Sequence, residues 1–173
     1  MKKNIRDKMR AQRRALSQQY IQQKAELARA PLTELLKHYQ PTYVASYKPM
    51  ENEFDVTICD QTLSAFGCQI LYPRIDRDRG ELDFHLGENF TKSAYGFLEP
   101  SPRAPKHQPD IIICPFVAVD KNKRRLGYGG GYYDRICAKY PQIITIAIGY
   151  QFQSIEDFGA EKHDLIFDHI LLF

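Results

Sequence analysis

Three isoleucines, Ile111, Ile112 and Ile113, stand side by side, with Cys114 after them. Neighbouring residues of a strand point to opposite faces, so an unbroken apolar run reads as a strand covered on both sides. Residues 143–148 repeat the signal. Residues 43–47, 69–72, 82–86 and 169–173 also read as strands, with 69–72 stopped at Pro73. Between them the period changes. Val56, Cys59, Leu63 and Phe66 recur at helical spacing within 53–66, and Gly67 ends that helix. Residues 132–140 read as another helix. Strands alternating with helices predict an α/β fold: a layered α/β/α single domain with a mainly parallel sheet.

The first 40 residues add an N-terminal helical segment. Ile5, Met9, Leu16, Tyr20 and Leu27 fall on one face. Ser17 can cap a second helix, and Pro31 breaks or restarts it. The basic residues lie off this stripe and by default form a solvated face. Residues 99–109, with four prolines, read as an extended connector.

A chain of 173 residues suits one domain with its own core. No apolar run approaches the ~20 residues that a bilayer span needs. The N-terminus lacks the apolar stretch of a signal peptide, so the expected location is cytoplasmic, away from membranes. Cys59, Cys68, Cys114 and Cys137 form no C-x-x-C pair and read as reduced, buried thiols. The five histidines show no metal-ligand spacing, which argues against zinc.

Net charge is only +3, but it is uneven. Lys2, Lys3, Arg6, Lys8, Arg10, Arg13 and Arg14 face Asp7 alone in the first fourteen residues. Lys121, Lys123, Arg124, Arg125 and Arg135 form a second cluster. Two such clusters imply an anionic partner. The second brackets Gly127-Tyr128-Gly129-Gly130-Gly131-Tyr132-Tyr133-Asp134. Glycine there lets another group approach the main chain, and successive N–H groups can cradle an anion. Arg125 can grip phosphate bidentately, and Asp134 can hold Mg²⁺ beside it. The run is neither a Walker A loop nor G-x-G-x-x-G, so a purely structural turn stands as the alternative. Lys48 and Glu53 follow the first strand and Arg74 the second, at the strand ends where open α/β sheets bind ligands.

The stretch from Pro115 to Asp120, the basic loop and the run from Arg125 to Arg135 resemble the signature of the 5-formyltetrahydrofolate cyclo-ligase family. Other pieces fall in that family's order: Lys2-Lys3-Asn4-Ile5-Arg6, Arg13-Arg14-Ala15-Leu16-Ser17, Met50-Glu51-Asn52-Glu53, Tyr72-Pro73-Arg74, Leu82-Asp83-Phe84, Gly96-Phe97-Leu98-Glu99-Pro100 and His163-Asp164. The chain departs where Phe116 and Lys123 stand at positions that are commonly glycine.

The resemblance implies an ATP- and Mg²⁺-dependent conversion of 5-formyltetrahydrofolate to 5,10-methenyltetrahydrofolate. ATP would be held by Lys2, Lys3, Arg6, Arg74, Arg125, Leu126, Gly127, Tyr128, Gly129, Gly130, Gly131, Tyr132 and Tyr133. The reduced folate would meet Lys48, Glu53 and the segment from Tyr128 to Tyr132. Arg125 and Lys48 would act in catalysis, and Asp134 and Asp164 would bind Mg²⁺. A monomer without nucleic acid is expected. Two rivals belong to other classes: a nucleic-acid-binding module using the basic N-terminus, and a sugar-phosphate isomerase or transferase of related architecture. Asp134 and Glu53 argue against the first, since RNA contacts call for cations and stacking.

Overall fold

The computed structural model describes residues 1–76, 78–93 and 96–173. Three helices open the chain: α1 (Lys2–Arg14), α2 (Gln18–Leu27) and α3 (Arg29–Tyr39). Ser17 caps α2 by accepting from the Tyr20 N–H at 3.2 Å. Pro31 sits in the first turn of α3, where its missing N–H costs nothing, so it restarts the helix.

The main sheet holds β1 (Tyr43–Ala45), β2 (Gln69–Asp76), β3 (Glu81–Leu86), β6 (Ile111–Ile113), β9 (Ile144–Gly149) and β11 (His169–Leu172). Their order is β11-β9-β6-β1-β2-β3, and only β3 runs antiparallel. The expected mainly parallel α/β layering is therefore found. α4 (Thr57–Ala65) links β1 to β2, and α5 (Tyr132–Lys139) precedes β9.

The three isoleucines serve both faces, as their run demanded. Ile111 and Ile113 join Leu32, Leu36 and Leu63 of the helices on one side. Ile112 joins Tyr133 and Cys137 of α5 on the other. A third, smaller core packs Met9 of α1 against Val117, Leu126 and Phe158. It sits on a second sheet of β10 (Ser154–Ile155), β7 (Ala118–Asp120) and β8 (Arg125–Leu126). β4 (Thr91–Lys92) and β5 (Leu98–Glu99) pair as a short hairpin.

Several expectations need correction. The N-terminal stripe is not one face: Met9 enters the small core, Leu16 and Tyr20 pack on the large one, and Leu27 is 54% exposed. The chain bends between α1, α2 and α3, so periodicity cannot carry across. β2 does not stop at Pro73. Beyond Leu71 it leaves β1 and pairs with β3 alone, and proline is tolerated at such an edge. Glu53 does not open a helix, because α4 begins at Thr57. The proline-rich connector runs along β3, where the Leu86 and His107 N–H groups donate to Pro105 and Phe84 carbonyls.

Both departures from the glycine pattern are accommodated. Lys123 adopts φ 62° in the β7–β8 turn. Asp120 Oδ1 accepts from the Asn122 and Arg124 N–H groups, each at 2.8 Å, which fixes the turn around it. The Phe116 ring fills space that Gly149 leaves open: a Cβ on Gly149 would lie 2.5 Å from it.

Candidate active site

The sheet order changes direction between β1 and β6, the switch point where open α/β sheets bind ligands. A cleft of about 400 Å³ opens there. Tyr47 and Lys48 reach it from the end of β1, Pro73 and Ile75 from β2, and Pro115 from the end of β6. Glu53, Arg125, Tyr128, Gly130, Gly131, Tyr132 and Tyr133 complete its walls, with Phe97 and Leu98 from the β4–β5 hairpin. The lining is aromatic and apolar, with a few charged groups, as small-molecule sites usually are.

Arg125 is 5% exposed and tightly held. Its Nε donates to the Pro115 carbonyl at 3.0 Å, its Nη1 to Asp134 Oδ2 at 3.1 Å, and its guanidinium stacks on the Tyr133 ring at 5.1 Å. Gly127 must be glycine here, since a Cβ would fall 2.4 Å from Arg125 Nη1.

Two other arginines face the glycine loop. Arg6 Nε donates to the Gly127 carbonyl at 2.8 Å, and Arg135 Nη1 to the Gly130 carbonyl at 3.0 Å. Among the described residues neither has a carboxylate partner. Their charge therefore remains uncompensated beside the loop. In the sequence Arg135 stands out only as a member of the basic cluster around the glycines.

The remaining expected ATP ligands divide. Lys2 Nζ donates to Glu161 Oε1 at 2.8 Å and Asp164 Oδ2 at 3.1 Å, so its charge is matched by two acids. Lys3 is exposed. Leu126 is buried in the small core. Arg74 donates to Glu99 Oε1 at 2.8 Å and to the Pro100 carbonyl at 3.0 Å. It alternates with Pro73 and Ile75, so it turns away from the cleft that they line.

Glu53 is 5% exposed, in the turn after β1. Its Oε2 accepts from the Met50 N–H at 3.0 Å, and its Oε1 takes a short hydrogen bond from the Tyr128 hydroxyl. Arg13 Nη1 donates to that hydroxyl at 2.7 Å and lies 3.5 Å from Glu53 Oε1. Burial pushes the Glu53 carboxyl up, opposed by Tyr128 and by the Arg13 charge. Arg13 belongs to the basic cluster expected to face solvent, yet it is 1% exposed. Its Nε and Nη2 have no partner among the described residues. The sequence gives one signal for it: only Arg13, of that cluster, lies one helical turn beyond the buried Met9.

Asp134 and Asp164, the expected Mg²⁺ ligands, both meet partners within the protein. Asp134 Oδ2 accepts from Arg125, and its Oδ1 accepts from the Leu165 N–H at 3.0 Å. Asp164 Oδ2 accepts from Lys2 and from the Glu161 N–H at 2.7 Å. Among the described residues no three His, Cys, Asp or Glu side chains cluster where they could hold an ion. Both acids therefore serve neighbouring cations in this structure.

Among the described residues no helix is long and apolar enough to cross a membrane. A solved 5,10-methenyltetrahydrofolate synthetase from Mycoplasma pneumoniae superposes with a TM-score of 0.81 at 26% identity, covering 98% of this chain and 97% of that one. The 5-formyltetrahydrofolate cyclo-ligase of Mycolicibacterium smegmatis is 27% identical over 98% of this chain and 92% of its own. That of Haemophilus influenzae is 34% identical over 84 residues, 44% of this chain and 45% of its own. The model of the 5-formyltetrahydrofolate cyclo-ligase family matches residues 1–172, and the chain belongs to that family of ligases.

Proposed function

We propose that this protein converts 5-formyltetrahydrofolate to 5,10-methenyltetrahydrofolate at the expense of ATP. The observation that carries the reading is the junction of two environments. An aromatic cleft with a buried carboxylate shares the wall formed by Gly130 and Gly131 with a loop flanked by two uncompensated guanidinium groups, Arg6 from α1 and Arg135 from α5. The first suits a flat heteroaromatic ring, the second a polyphosphate.

The γ-phosphoryl group would pass to the formyl oxygen, making that oxygen a leaving group. N10 would then attack the formyl carbon, and as the ring closes the phosphate would depart and the N10 proton pass to solvent. Such chemistry asks mainly for positioning and charge neutralisation. Arg6, Arg135 and the loop amides would hold the polyphosphate, with the first turn of α5 pointing its positive end the same way. Arg125 would present its guanidinium from a fixed mount. The rings of Tyr128 and Tyr132 would stack on the pterin. Glu53 would accept N–H groups of the pterin ring through the acceptor capacity left on Oε2. Mg²⁺ would accompany the triphosphate as part of the substrate.

The test is the ATP-dependent appearance of methenyl-folate absorbance with 5-formyltetrahydrofolate. Retention of RNA without turnover would favour the nucleic-acid module, and turnover of a sugar phosphate instead would favour the isomerase class.

A contrast between two cations follows. Arg6→Ala should raise the KM for ATP by about tenfold to a hundredfold, the worth of one charge-assisted contact. Lys2→Ala should change it little, because that charge is already matched by Glu161 and Asp164. Equal effects on the KM for ATP would show that both cations meet the nucleotide.

A further inference from the structure

Lys48 reaches the cleft on a built mount. Its Nζ donates to the Tyr72 hydroxyl at 3.0 Å, and that hydroxyl donates to Asp60 Oδ2 at 2.6 Å. The same carboxylate oxygen lies 3.6 Å from Nζ. Asp60 Oδ1 accepts from the Ser46 hydroxyl at 2.7 Å. The ammonium also lies over the Tyr72 ring at 4.2 Å and the Phe90 ring at 5.2 Å. Asp60 comes from α4, Tyr72 from β2 and Ser46 from the end of β1, so three elements converge on one amine.

The Asp60 side chain is 14% exposed, and burial pushes its carboxyl up against the opposing pull of Tyr72, Ser46 and Lys48. Keeping a carboxylate there costs desolvation, which a casual surface pair would not incur. The arrangement leaves Lys48 with N–H donors to spare. It also leaves this end of the cleft with almost no net charge, because the ammonium is already matched. A phosphate gains from net positive charge, which lies instead at Arg6 and Arg135. A neutral oxygen gains from a donor held in one place.

We infer that Asp60 and Tyr72 are positioning residues that hold the Lys48 ammonium as a fixed, charge-compensated donor for an uncharged carbonyl-type oxygen of the folate, not for a phosphate. The inference rests on the proposed placement of the folate in the cleft. Of this mount, Tyr72 enters the sequence reading only within Tyr72-Pro73-Arg74, and Asp60 and Ser46 belong to no motif.

The experiment uses the full-length enzyme with Asp60→Asn and Tyr72→Phe, each made alone and in a Lys48→Met background. Melting temperatures confirm folding, and Tyr72→Phe, which removes one oxygen, guards against an unfolded Asp60 variant. The KM values for folate and ATP are measured separately. Lys48 labelling by an amine-reactive reagent is followed by peptide mapping. Both variants should raise the KM for folate and the Lys48 labelling rate about fivefold, the scale of one partly exposed ion pair, with the KM for ATP unchanged. In the Lys48→Met background they should add nothing. A lowered melting temperature with unchanged labelling and kinetics would overturn the inference and leave the network as a tie between α4 and β2. A rise in the KM for ATP alone would place a phosphate at Lys48 and overturn it as well. Normal turnover by Lys48→Met would overturn it by another route. The labelling change would then persist, and the fault would lie in the placement of the folate rather than in the mount.

Discussion

Arg13→Met is expected to lower kcat/KM for the folate about a hundredfold, the scale of removing one member of a buried charge pair. Arg13 is 1% exposed and stands between Tyr128 and Glu53. Methionine matches its length and apolar stem but removes the cation. Burial already pushes the Glu53 carboxyl up, and Arg13 is one of the groups opposing it. Without Arg13 the carboxyl should hold its proton to higher pH and accept N–H groups less well. The acid limb of the kcat/KM profile should therefore move to higher pH.

The same loss sets a sign for stability. A carboxyl whose folded pKa is raised binds more protons in the native state than in the unfolded one. Stability then falls as pH rises from the unfolded value, about 4.3, toward the raised folded value. Arg13→Met should thus lose more melting temperature, relative to wild type, at pH 8 than at pH 5. Adding Glu53→Gln should abolish that pH dependence. If the profile of Arg13→Met superposes on that of the wild type, Arg13 packs α1 without governing Glu53.

How much of this arrangement the chain displays in advance depends on the distance over which each residue acts. The isoleucine runs, the Ser17 cap and the helix after Gly131 are local patterns, and all are found where periodicity puts them. Arg13 is different. Its burial follows from Glu53 and Tyr128, which lie 40 and 115 positions away. Within α1 it is one basic residue among seven. The outward turn of Arg74 is a local pattern too. Pro73 and Ile75 flank it, and on a strand those two neighbours share the opposite face. The resemblance placed Arg74 at the right strand end but could not choose its face. Asp60 was hidden by helix periodicity itself: it sits between the core positions Cys59 and Leu63, where a polar residue reads as solvated.

The largest stability effect should come from Asp134→Asn, with a loss of about 2–4 kcal/mol from opening a buried ion pair on one side. The partners are 5% and 13% exposed in their side chains. Asparagine keeps the shape and can still accept the Leu165 N–H, but it leaves Arg125 as a buried cation without its counter-charge. For a chain of this size that loss corresponds to about 5–15 °C in melting temperature. Arg125→Lys should give a related result. Lysine keeps the charge but cannot reach the Pro115 carbonyl and Asp134 together while stacking on Tyr133. Because both changes break the same pair, the double variant should lose less than the sum of the two. Turnover should fall in each, since a displaced Arg125 no longer fits against Gly127. The Mg²⁺ concentration for half-maximal rate should remain that of the wild type in Asp134→Asn, because both carboxylate oxygens already serve the protein. An unchanged melting temperature with a shifted Mg²⁺ requirement would make Asp134 a metal ligand and would show that its pairing with Arg125 gives way when nucleotide binds.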